Sequence, residues 1–235
     1  MTSLNDRDFI ASIRRFWDFL SLIGLEETFS NPTSLKASDE FLAVIFDSSA
    51  SYEAVYLTAL RNSDYNLMLR DHSFFQFTHS LSGWRLAYYP NPFFGASDAA
   101  LSEVSELRDY VKEGAISIEE FLHRLSELRS AIQAPLLRYE WAPNDYINLQ
   151  HPASHMHVGF HSDNRWAFTR VLSPEAFGMF VIKLYYRSSW NPDFRCLVGR
   201  DERSLDQIYS ACRASTILVP ADRISAEELA QFHLA

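Results

Sequence analysis

The chain of 235 residues is 47% hydrophobic and 14% aromatic, with 18 Phe and 11 Tyr, enough to bury a sizeable core without a disulfide scaffold, for which its 2 Cys are too few. A formal net charge of −9 works against non-specific grip on nucleic-acid phosphates, and 7 Gly with no Gly-rich phosphate loop argue against a nucleotide-binding motif. The N-terminus lacks a basic-then-apolar leader and no apolar run approaches the roughly 20 residues of a membrane span, so a cytoplasmic protein without a membrane partner is expected.

In chain order, Asn5 to Ile23 reads as an amphipathic helix: Phe9, Ile13, Phe16, Trp17, Leu20 and Ile23 recur at three- and four-residue intervals, with Asn5 as N-cap. Ser38 to about Asn62 is mostly helical, broken near Asp47–Ser51. Tyr65–Leu69, Ser73–Thr78 and Trp84–Tyr89 are short, aromatic-rich strands, the last two joined by a Leu81-Ser-Gly83 loop. Two helices are expected from Ser97 to Lys112 and from Ser117, where Ser-Ile-Glu-Glu forms a capping box, to Pro135. Leu136–Trp141 is the next strand. Ser154–Phe160 follows as another, and Trp166–Thr169 pairs back after an Asp163-Asn164 turn. Ser173-Pro174-Glu175 opens a helix, and two more lie near Ser204–Arg213 and Ser225–Leu234. The expected architecture is a single α+β domain over residues 1–235, with an antiparallel sheet of about five to six strands packed with helices. Residues 1–62 form its helical N-terminal portion, 63–170 the sheet with inserted helices at 97–133, and 171–235 the helical C-terminal portion.

Four of the eight histidines fall between His151 and His161. On a strand, His155, His157 and, if the strand runs that far, His161 share one face, while Met156, Val158 and Phe160 point to the other. Alternation in Leu136–Trp141 likewise sets Arg138 and Glu140 on one face. If the two strands are antiparallel neighbours, a guanidinium, a carboxylate and two imidazoles meet. That set suits acid–base chemistry on a phosphodiester, with Arg138 neutralising the phosphoryl oxygens. A bland alternative is an ion pair on a half-buried sheet beside histidines that satisfy backbone groups.

No organic cofactor is called for. A metal is the chemical alternative: His155 and His157 chelate, with Glu140 or His161 as third ligand. His151 is expected to lie outside the site, in the preceding loop. Asp71 and His72 read as turn residues, because a Ser154–His155–Asp71 triad would lack its G-x-S-x-G elbow. The Phe and Tyr of residues 74–94 read as core rather than as a base-stacking platform, and Cys196 as a structural thiol.

Three segments, Tyr65–Phe77, Leu137-Arg-Tyr-Glu140 and His151–Gly159, resemble an uncharacterised bacterial family, domain of unknown function 2290, over nearly the whole chain. The resemblance brings no activity with it. Arg138-Tyr139-Glu140 followed by His155-Met-His157 is also similar to small toxins of the TumE kind, although this chain is much longer and has helices those toxins lack. That likeness implies an RNA or other nucleic-acid target and a protein partner. The reading that combines these points is a metal-independent, ribonuclease-like or other phosphodiester-acting component of a toxin–antitoxin or phage-defence system, with Arg138, Glu140, His155 and His157 as catalytic residues. A non-enzymatic interaction subunit is the rival, and a metal-dependent hydrolase comes third.

Overall fold

The computed structural model describes residues 5–93, 106–127, 134–161, 163–191 and 203–231. Cys196, the expected helix start at Ser97 and the end of the helix before Pro135 lie outside them. Seven strands form one antiparallel sheet in sequential order: β1 (Glu26–Phe29), β2 (Leu67–Leu69), β3 (Phe74–Ser80), β4 (Gly83–Tyr89), β5 (Leu137–Trp141), β6 (Ser154–Val158) and β7 (Trp166–Ala167). Strands β8 (Arg170–Val171) and β9 (Ile217–Leu218) pair separately. The sheet is wider than the five to six strands expected. Its edge strand β1 lies within the portion read as helical, because a four-residue strand with no clean alternation leaves little periodic signal.

The helices begin where local chemistry puts them. Asn5 caps α1 (Asp6–Leu22) by accepting from the Asp8 amide at 2.9 Å. Ser38 and Ser51 cap α2 (Asp39–Phe46) and α3 (Tyr52–Asn62), and the break between them falls at residues 47–51. Residues 106–112 form α4. Ser117 accepts from the Glu120 amide at the start of α5 (Ile118–Glu127). Ser173 caps α6 (Pro174–Tyr185), with proline in the first turn, and Ser204 and Gln207 close a capping box on α7 (Leu205–Ser215). A short α8 (Ala226–Gln231) follows.

Period-two alternation divides the sheet into two unlike faces. Phe75, Phe77, Leu86, Tyr88, Leu137, Tyr139, Trp141 and Met156 join the larger core with Phe9, Ile13, Phe16 and Leu20 of α1 and Phe177, Val181 and Ile182 of α6. Helices α1 and α6 pack closely there: a Cβ added at Gly178 would stand 2.3 Å from the Phe16 ring. On the opposite face, Phe74, Ala87, Tyr89 and Leu136 meet Phe41, Val55 and Tyr56 of α2 and α3 and Phe121 of α5. These helices cover only part of that face. The same face continues as a polar stretch across β4, β5 and β6, through Arg85, Arg138, Glu140, His155 and His157. The aromatics of residues 74–93 are therefore core, since Phe74, Phe75, Phe77, Tyr88, Tyr89 and Phe93 are all buried.

A candidate site of histidines, a carboxylate and arginines

The register places the site. Strands β4 and β5 pair Arg85 with Glu140, and β5 and β6 pair Glu140 with His155 and Arg138 with His157. Directly opposed residues of antiparallel strands share a face. Arg85, Arg138, Glu140, His155 and His157 thus form one polar group, held from behind by the buried hydroxyl of Tyr139. That hydroxyl bonds Ser154 Oγ at 2.8 Å and accepts from the Leu172 amide at 2.9 Å. Asn164 ends β6 by bonding both the amide and the carbonyl of Val158 at 2.8 Å, so its side chain stands in for a further strand residue.

Within the group the contacts differ in length and direction. Arg85 Nε donates to Glu140 Oε1 at 3.0 Å. Arg138 Nε, itself buried, lies 3.0 Å from the same oxygen but out of line for a hydrogen bond. The second carboxylate oxygen, Oε2, faces His155 Nε2 at 4.0 Å. The Nδ1 of His155 lies 2.7 Å from the Pro152 carbonyl and its Nε2 3.1 Å from Nε2 of His157. Both imidazoles are buried, at 0% and 3% exposure.

Burial alone would raise the Glu140 carboxyl, but Arg85, Arg138 and the two imidazoles outweigh it and hold that group below its ordinary range. Burial pushes His155 down to about 4. The Pro152 carbonyl and Glu140 oppose this, while His157 and His151 add to it. His155 is accordingly neutral at physiological pH. Because a carbonyl only accepts, its proton is on Nδ1 and its Nε2 presents a lone pair.

Arg138 also lines a cleft of about 200 Å³, together with Tyr89, Gly159, Phe160, His161 and Asp163. The strand expected to reach Phe160 stops at Val158. Gly159 and His161 then take left-handed φ values of 100° and 51°, and the His161 ring turns against Phe160 with centroids 3.9 Å apart. His161 therefore lines the cleft and stands outside the Glu140–His155–His157 group.

Two neighbours were not legible as site members. Arg85 enters through the β4–β5 pairing, which a connection of nearly fifty residues hides from local pattern. His151 sits in the preceding loop as expected, yet its ring packs edge-on to His155 at 4.8 Å. No Ser154–His155–Asp71 triad is assembled. Asp71 accepts from the Ser73 amide at 2.9 Å, as a turn residue does, and from the Tyr186 hydroxyl at 2.8 Å. Ser154 donates to the Arg170 carbonyl.

Chemically, the group offers a neutral His155 in contact with a second imidazole, a carboxylate engaged on one oxygen, and two guanidiniums of which one borders a cleft. It can bind an anion, move protons or hold a cation. Among the described residues no helix is long and apolar enough to cross a membrane. These features define a mixed α+β protein with a continuous antiparallel sheet and a histidine–carboxylate–arginine face. Over residues 26–235 the chain matches the model of the DUF2290 family, "Uncharacterized conserved protein", and it belongs to that family. No curated protein and no solved structure matches it.

Proposed function

We propose that this face is the active site of an enzyme acting on a phosphodiester, with RNA as target and a ribonuclease-like role in a toxin–antitoxin or phage-defence system. One observation carries the reading: across three strands, guanidinium, carboxylate and imidazole stand side by side, and Arg138 borders an open cleft. Charge on a phosphoryl group in the transition state needs fixed cations, which Arg138 and Arg85 supply. Proton transfer needs an acceptor with an available lone pair beside a fixed carboxylate, which His155 Nε2 facing Glu140 presents. Arg138→Ala and His157→Ala are expected to lower cleavage of RNA about 10²- to 10⁴-fold relative to wild type. They should also relieve growth arrest on expression. Equal behaviour of wild type and both variants, with unchanged circular dichroism, would overturn the reading.

A second reading has its own support. The near-complete burial of His155 and His157 suits a structural polar cluster in a non-enzymatic interaction subunit. In that case the partner surface would not be α1, whose apolar side is spent on the core, but α2, where Leu42 and Phe46 are 39% and 77% exposed. Cleavage by the wild type that is absent from the variants excludes this alternative.

A further inference from the structure

We infer that Glu140, His155 and His157 are the three protein ligands of a divalent transition-metal site, with zinc the best match. The inference rests on the site assigned above to phosphodiester chemistry and changes one role in it: with an ion bound, both imidazole lone pairs would be ligands, and water at the open coordination position would take over as the base. The ligating atoms of all three side chains lie within 4.8 Å of one another, and two of the three residues are buried.

The His–His contact needs an explanation. Two imidazoles whose Nε2 atoms approach to 3.1 Å either form an N–H···N hydrogen bond or direct two lone pairs at a common cation, and the choice between these is what the metal test decides. The Pro152 carbonyl already fixes the proton of His155 on Nδ1, so its Nε2 is a lone pair. A backbone carbonyl behind a ring nitrogen is how proteins orient a metal-binding histidine. Ligands at about 2.0–2.1 Å from one ion stand about 3.4 Å apart at a tetrahedral angle and about 2.9 Å apart at a right angle. The His155–His157 spacing falls between these, whereas Glu140 Oε2, 4.0 Å from His155 Nε2, would have to close in to complete the set. Glu140 is held in the same way, since Arg85 engages Oε1 and leaves Oε2 facing His155.

Two imidazoles and one carboxylate form a borderline-soft nitrogen–oxygen set. It suits zinc better than magnesium or calcium and leaves a coordination position open for water or substrate. The charge balance also selects the substrate class. A doubly charged ion beside Arg85 and Arg138 would be met by Glu140 in the ligand set and Asp163 at the cleft, so the loaded site would still carry a surplus of positive charge. An anion in the Arg138 cleft would complete it, which a phosphate ester does and a neutral sugar or peptide does not.

The test uses the full chain, stripped with chelator and dialysed against zinc or manganese, then read by elemental analysis and titration calorimetry. About one ion per chain is expected, with affinity lowered roughly 100-fold in His157→Ala and at least tenfold in Glu140→Gln. Binding in Arg85→Ala should fall less than in Glu140→Gln. Cobalt substitution provides a readout independent of stability: a visible ligand-field band should appear in wild type and vanish in His157→Gln, a variant that retains polarity and bulk. No stoichiometric metal in wild type, or equal binding by wild type and His157→Ala, would overturn the inference. The two readings separate cleanly. RNA cleavage that persists in excess chelator would refute the metal and leave the phosphodiester role standing, whereas bound metal without any phosphodiester cleavage would do the reverse.

Discussion

Histidine chemistry in this chain depends on where each ring is seated. His72 illustrates this away from the site. It occupies a left-handed turn at φ 63°, is buried, and its Nε2 has no hydrogen-bond partner. Burial, with a smaller contribution from Lys112, pushes it down to about 4 from an ordinary 6.5. Between those values the unfolded chain binds the proton that the folded chain refuses. Stability due to His72 is therefore complete above about pH 6.5 and is lost as the pH falls toward 4. His72→Asn removes the titrating ring and keeps a residue that tolerates positive φ. The fall in unfolding free energy between pH 7 and pH 5, measured in urea, should be about 2 kcal/mol smaller in the variant than in wild type. His155 shifts in the same direction, so only the difference between the two proteins reports on His72. Identical pH dependence would show that the ring is solvated.

At the level of elements, the site depends on β4 keeping its place between β3 and β5. Gly83 opens β4 with φ 152°, and a Cβ there would lie 1.9 Å from the carbonyl oxygen of Trp141. That neighbour is backbone and cannot swing aside, so Gly83→Ala must push β4 away from β5. A loss of about 2–4 kcal/mol in denaturant unfolding is expected. Arg85 lies two residues beyond and is aligned with Glu140 by the same pairing, so the zinc binding inferred above should fall in this variant too. A variant as stable as wild type would mean that the hairpin has slack. The boundaries of most helices were readable in advance, since Asn5, Ser38, Ser173 and Ser204 are local capping signals. The short strands β1, β8 and β9 were not, because two to four residues are too few to display a period.

For the molecule as a whole, the notable fact is that α1 precedes the family match, which begins at residue 26, and yet supplies the core. Phe9, Ile13, Phe16 and Leu20 are at 0% exposure and Phe19 at 4%. At roughly 1.5–3 kcal/mol for each side chain withdrawn from water, their burial is worth about 10 kcal/mol. That is comparable to the whole net stability of a typical domain. A chain lacking residues 1–25 should accordingly be insoluble, or unfold without a cooperative transition, when followed by circular dichroism on heating. A soluble truncation with an unchanged midpoint would show that the sheet face is covered in some other way.

What the amino-acid order determined by itself was local: the helix starts, the aromatic strands, the α+β class, and the alternation that commits Arg138 and Glu140 to one side of β5 and His155 and His157 to one side of β6. These follow from capping chemistry and side-chain period, which act over a few residues. Tertiary structure decided which strands are neighbours and in what register. It thereby brought Arg85 across from β4, turned His151 edge-on to His155, and left His161 at the cleft rather than beside Glu140, His155 and His157. Those outcomes depend on pairing between segments far apart in the chain and on a strand that ends at Val158 instead of Phe160. The energies that settle them are burial and backbone hydrogen bonding summed over the whole sheet, and no short window of sequence contains them.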